Sequence, residues 1–295
     1  MTGKRINPST RPAWLASLGM SPVGLHWRKL LIVAVLSLGA LLMVLPYYWM
    51  IISSLKPPEE LYTYPPRFYV LHPTTAPYTE LFTLLPMARS LFNSVFVAST
   101  VTVSNMFLCS LAGYAFAKLR FPGRDAIFLA LISAMMIPWQ VFLIPGFVIV
   151  KHLGWLNTYW ALIIPNLAMP FGIFMCRQYI MSIPDGLIEA ARIDGYNEFG
   201  IYWRVILPLV TPALATLAIF TFLSQWNSFV WPLIVTQSSQ MRTMPLIIAV
   251  LNGQFGANFA MIMAGALVVT LPMLLVFLAF QRQFIKGVFL TTIRE

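Results

Sequence analysis

Residues Ile183 to Pro208 read IPDGLIEAARIDGYNEFGIYWRVILP, and they hold Asp185, Glu189, Asp194 and Glu198, four of only nine acidic residues in a chain of 295. Pro184 suits the first turn of a helix, and Asp185 beside it complements the positive end of the helix dipole. Leu187, Glu189, Ala190, Ala191 and Arg192 favour helix, and Gly195 is placed to stop it in a left-handed C-terminal position. Asp185 and Glu189 are four apart and share a face, while Ile188 and Ala191 line another. Asn197 is placed to cap a second short helix, EFGIYWRVIL, whose Tyr202 and Trp203 suit a membrane interface. A loop that is merely solvated needs neither small Ala190 and Ala191 nor a rigid glycine stop. A helix on which another surface docks needs both.

The sequence on either side of this segment is apolar. The chain is 59% hydrophobic and 9% charged, where a soluble domain carries about 25% charged residues. No Lys, Arg, Asp or Glu occurs between Lys29 and Lys56, Arg89 and Lys118, Asp125 and Lys151, Lys151 and Arg177, Arg204 and Arg242, or Arg242 and Arg282. A helix crosses a bilayer with about 20 apolar residues, so each gap holds one span. The expectation is an all-α polytopic membrane protein with six transmembrane helices, at roughly 30–52, 90–117, 126–149, 158–177, 208–234 and 259–281. The first run exceeds the length of a signal peptide and SSLKPPEE follows it without an A-x-A-like site, so it reads as a retained signal-anchor.

Basic residues set the orientation. Fourteen of the nineteen lie on one side: Lys4, Arg5, Arg11, Arg28 and Lys29; Lys118, Arg120 and Arg124; Arg177, Arg192 and Arg204; and Arg282, Lys286 and Arg294. Lys56, Arg67, Arg89, Lys151 and Arg242 lie on the other. The positive-inside rule then puts both termini in the cytoplasm. The net charge of +10 is mostly this topological bias, and because the basic residues form no compact patch it does not point to nucleic acid. Domain organisation reads as a cytoplasmic tail, 1–28, with Trp14 and Trp27 near headgroups, and one membrane domain, 29–295. Within it the acidic loop occupies about 182–208. The outside segment 53–89 is too broken by proline to be a domain and is expected to pack over the outer face. In KLRFPGRD, Pro122-Gly123 punctuates a tight turn, and Cys109 and Cys176 fall in spans, where packing rather than a disulfide is expected.

The acidic loop carries a resemblance. Glu189-Ala190-Ala191, three residues, Gly195, nine residues, Val205, one residue and Leu207-Pro208 resemble the EAA loop of permeases in binding-protein-dependent ABC importers, departing only at Val205, where isoleucine is usual. NSVFVASTVTVSNMFLCSLAGYAFAKLRFPGRD, LGWLNTYWALIIP, FLSQWNSFVWPLIV and LPMLLVFLAFQRQFIKG are similar to the maltose-type carbohydrate importers, specifically to the shorter six-span permease of the pair. The resemblance implies a type I ABC importer permease fold in a bacterial or archaeal inner membrane. It implies as partners a second homologous permease, two ABC ATPase subunits and an extracytoplasmic solute-binding protein. It places ATPase coupling on Glu189, Ala190, Ala191, Asp194 and Gly195. The tail to about residue 28 falls outside it.

Other chemistries lack their signatures. The chain has no phosphate-cradling G-x-x-x-x-G-K-[ST] loop, so no cofactor is expected on it, and ATP and Mg are expected to be handled by the partner subunits. His26, His72 and His152 are isolated, which supports neither a metal site nor catalysis. A self-contained secondary carrier or channel is the alternative, and it would be expected to show ionisable residues inside spans or an internal repeat. A sugar path needs uncharged polar and aromatic side chains: Gln225, Trp226, Asn227 and Gln140 are the candidates. Asn105 and Asn166 also fall in spans; a hydrogen bond between helices is the other reading for each of these residues, and the favoured one for Asn105 and Asn166. The outer loop LNGQFG resembles the family loop that reaches into the binding protein, with Asn252, Gly253 and Gln254 at its tip; a plain turn is the other reading. The function expected is half of the translocation pathway of an ATP-driven importer for an oligosaccharide or a related polar solute such as a glycerol phosphate.

Overall fold

A computed structural model describes residues 22–254, 256 and 258–289, with side chains over 27–254, 256, 258–278 and 281. Lys4, Arg5, Arg11, Trp14 and Arg294 lie outside the described residues, as do the side chains of His26, Arg282 and Lys286. The described elements are helices: α1 (Pro22–Ser54), α2 (Pro58–Leu61), α3 (Ala76–Leu84), α4 (Met87–Lys118), α5 (Arg124–Ala134), α6 (Leu143–His152), α7 (Tyr159–Ile163), α8 (Pro170–Met181), α9 (Asp185–Ile193), α10 (Glu198–Ile201), α11 (Leu207–Leu209), α12 (Thr211–Trp226), α13 (Val230–Val235), α14 (Met244–Gln254) and α15 (Phe259–Phe289).

Four stretches are long and apolar enough to cross a membrane: Trp27–Ser54, Met87–Lys118, Tyr159–Met181 and Phe259–Leu278. Two bent pairs bring the number to six if each counts as one span. Neither expected run at 126–149 nor that at 208–234 is a single helix. Arg124–Ala134 and Trp139–His152 meet at 93°, and Glu198–Leu209 and Thr211–Trp226 meet at 78°. Proline is the physical reason. Pro138, extended at ψ 130°, has no amide hydrogen and pushes Ile137 away from helix. The second bend falls at Val210, where Pro212 in the first turn of α12 offers no amide to the carbonyl four residues back; before it, the turn Tyr202–Ile206 ahead of Pro208 widens to a π-helix.

α4 is the axis of the packing, with α8 and α12 laid against it. Its buried stripe is built from small and polar residues, including Ser94, Ala98, Val101, Asn105, Cys109 and Gly113 at three- and four-residue spacing. A Cβ on Gly113 would come within 2.7 Å of the Cys176 Cβ, and one on Gly172 within 2.8 Å of the Cys109 Sγ. The two glycines let α4 and α8 cross closely. Cys109 and Cys176 are free and fully buried in that crossing.

At the far end from α9, Leu81 and Leu85 of the proline-rich segment enter a core with Met244, Ile247 and Met261. Lys56, 1% exposed, donates to the Arg67 carbonyl and sits 5.0 Å from the Trp49 ring centroid. α1 buries none of its apolar window inside the chain; it lies along α15 and leaves the rest of its surface to the surroundings.

Candidate functional site

α9 forms as its sequence predicts. Pro184 precedes it in extended conformation, and Gly195 ends it at φ 86°. The Tyr196 amide reaches back to the Ala191 carbonyl (3.1 Å) and the Gly195 amide to that of Arg192 (3.0 Å), the paired bonds of a glycine-terminated helix. The Asn197 side chain then accepts from the Gly200 amide at 2.8 Å and caps α10.

The four acids divide into two pairs. Asp185 accepts from Lys118 Nζ at 2.6 Å, and the same ammonium donates to the Ile183 carbonyl at 2.6 Å. That bond, then the Lys118 charge itself, holds the Asp185 carboxyl below its usual value. Glu198 takes the Tyr114 hydroxyl at 2.6 Å on one oxygen and the Arg192 guanidinium at 2.8 and 2.9 Å on the other. Glu189 and Asp194 are exposed, and among the described residues they have neither an ion pair nor a side-chain hydrogen bond. Two acids fasten the loop to the bundle and two face away from it.

The apolar residues divide in the same way. Ile188 and Ala191 are buried in a core with Tyr114, Ile180, Ile201 and Tyr202, whereas Leu187, Glu189, Ala190 and Asp194 are exposed and Ile193 is 87% exposed. The expectation for the two alanines therefore needs one correction. Ala190 is on the open face, but Ala191 faces inward, because the buried stripe of Ile188 continues three residues on. Lys118 and Tyr114, which hold the loop, were missed as site residues. In the sequence Lys118 counts as topological charge, and its place before a tight turn in a chain whose acids cluster in one loop is the signal that points to a fastening role.

A cavity of about 630 Å³ lies where three helix breaks converge. The first break supplies Trp139, Phe142, Leu143 and Gly146; the second Pro165, Asn166 and Met169; the third the run Ser224 to Trp231 without Trp226. Of the pathway candidates, Gln225 and Asn227 line this cavity. Trp226 does not: it is 2% exposed and stacks on Phe222 at 5.9 Å. Gln140 is also outside the lining set, because the turn after Pro138 presents Trp139 and Phe142 instead. Asn105 is fully buried; its amide donates to the Val101 and Asn166 carbonyls and its oxygen accepts from the Met169 amide. It is a lock between α4 and the second break. Asn166 donates to the Leu162 carbonyl and also lines the cavity. Trp231, which the sequence reading passed over, donates its indole N–H to the Ala161 carbonyl at 2.8 Å. A Cβ on Gly146 would stand 3.3 Å from its ring.

Asn252, Gly253 and Gln254 are the exposed last turn of α14. Asn258, just beyond, caps α15 through the Met261 amide and bonds Glu80.

The family profile described as "Binding-protein-dependent transport system inner membrane component" matches residues 109–289. The arabinooligosaccharides transport system permease protein AraQ of Bacillus subtilis (strain 168) is 34% identical over 253 residues, covering 84% of this chain and 89% of that protein. The lactose transport system permease protein LacG of Rhizobium radiobacter is 32% identical over 257 residues, covering 86% and 92%. A crystal structure of a bacterial ABC transporter that imports the acidic polysaccharide alginate superposes with a TM-score of 0.78 at 22% identity, over 89% of this chain and 98% of that one.

Proposed function

The chain belongs to the family of binding-protein-dependent transport system inner membrane components, and on that premise we propose that it is the permease subunit forming half of the translocation pathway of an ATP-driven carbohydrate importer. In this reading each bent helix pair is one of six spans and both termini are cytoplasmic, as the basic residues ask. α9 is the coupling helix that docks on an ATPase subunit. A second permease completes the pathway, and a solute-binding protein delivers the sugar. The last turn of α14 is the face turned to that protein.

One observation carries the coupling reading: α9 buries Ile188 and Ala191 and is fastened through Lys118 and Tyr114, yet presents Ile193, Ala190, Glu189 and Asp194 outward. An isoleucine 87% exposed beside two unpaired carboxylates suits a groove with an apolar floor and basic rim. The sugar-transport permeases among the relatives support the carbohydrate class.

The test is co-purification from native membranes in mild detergent. Wild type is expected to bring down a second polytopic permease and an ATPase. Ile193→Asp, and separately Glu189→Ala with Gly195→Pro, is expected to lose the ATPase and keep the permease. An ATPase retained by both variants overturns the docking reading. A chain that purifies alone and moves solute into liposomes without ATP overturns the importer reading in favour of a self-contained carrier.

A further inference from the structure

The residues that line the cavity include no Lys, Arg, His, Asp or Glu. Non-helical backbone at membrane depth is tolerated where it lines a water-filled space, and broken helices are a common way to build a solute site. Here three interruptions between helices, at 135–138, 167–169 and 227–229, meet at one space. Its polar groups are also uncommitted. Gln225, Ser224 and Ser228 make no side-chain hydrogen bond among the described residues. Asn166 and Asn227 each spend only the amide nitrogen, on Leu162 and Leu223 carbonyls. By contrast the aromatic wall is held, since Trp231 is tethered to the Ala161 carbonyl and its ring packs closely over Gly146, where a Cβ would stand 3.3 Å away.

Uncommitted amides and hydroxyls beside a held indole match a ring with many hydroxyls and one flat apolar face. They do not match an anion, which would lose its water without gaining a positive charge. We propose that this cavity binds one neutral sugar ring directly, so that this subunit selects neutral glycans over uronates and phosphate esters. The inference rests on the importer reading and deepens it.

The test uses the assembled transporter in nanodiscs, carrying Ser228→Cys and reacted with a membrane-impermeant maleimide. Cys109 and Cys176, both fully buried, stay silent. The probes are neutral pentose and hexose oligosaccharides set against oligogalacturonate and glycerol 3-phosphate. A neutral sugar at about ten times its Kd is expected to slow labelling about tenfold, and the anions at equal concentration to leave it unchanged. Gln225→Ala and Trp231→Leu are each expected to raise the concentration needed about tenfold. Equal protection by the anions, protection by no neutral sugar, or a thiol covered by the partner permease from the start each overturns the proposal. Ile193→Cys in the same particles separates the two readings: it is shielded if the ATPase docks on α9, whatever happens in the cavity.

Discussion

At its first turns α4 holds a loop with neutral groups, and at its last turn it holds one with ions. Asn93, fully buried, donates to the Gln240 and Arg242 carbonyls and accepts from the Tyr159 hydroxyl. Ser94 one residue on accepts from the Met244 amide at 2.8 Å. Asn157, at φ 60°, gathers the Gln237 and Ser238 amides and the Ser238 hydroxyl onto a single oxygen. At the other end Lys118 meets an Asp185 that is 76% exposed, and Arg192 meets a Glu198 that is 46% exposed. Buried neutral bonds have one geometry and ignore salt. Bonds to exposed carboxylates are screened and yield easily. The far end is thereby built as scaffold, while α9 rides on a small buried face with fastenings that can give, as the proposed coupling role requires.

The largest expected effect lies at the scaffold end. Asn93→Leu removes two donors and one acceptor from a buried network and is expected to destabilise the fold by about 2–4 kcal/mol. Thermal unfolding in detergent reads this directly, and an unchanged Tm would show that the network is not what holds the 240–242 turn. Lys118→Met is expected to leave the melting temperature nearly unmoved but to lower solute transported per ATP hydrolysed by the assembled importer. If that ratio held at the wild-type value, the Lys118 fastening would have no part in transmission.

The smallest effect concerns pH and salt. The folded Asp185 carboxyl lies below its ordinary 3.8, so its contribution is fully present above that value and is lost as pH falls through the lowered one. Amide exchange in α9 is therefore expected to be flat from about pH 5 to about pH 8, after correction for intrinsic rates. It should rise when salt is raised to about 1 M, where screening acts within about 3 Å, while exchange at residues 240–247 does not change. Equal salt sensitivity at both ends would erase the distinction.

Much of this was legible in the chain. Charge-free runs located the apolar segments because lipid tolerates few charges, and α9 followed from proline, helix formers and glycine within a dozen residues. The helix breaks were less legible, although Pro138, Pro165 and Pro212 were visible. Counting the length of an apolar run says nothing about whether its backbone turns within it. Of the polar residues inside apolar runs, Asn105 became a lock and Gln225 a cavity wall, and neither fate shows in its neighbours.

The sequence by itself determined the membrane class, the six apolar runs and the form of α9, because each depends on composition or on bonds between residues a few places apart. Only the tertiary structure decided that the face shared by Ile188 and Ala191 is the buried one, that Trp231 rather than Trp226 lines the cavity, and that Lys118 and Tyr114 hold the acidic loop. Each step along a helix turns a side chain by about 100°, so the direction it faces is settled by the helix packed against it. Lys118 and Asp185 are 67 positions apart, and only the crossing of α4 and α8 brings them together.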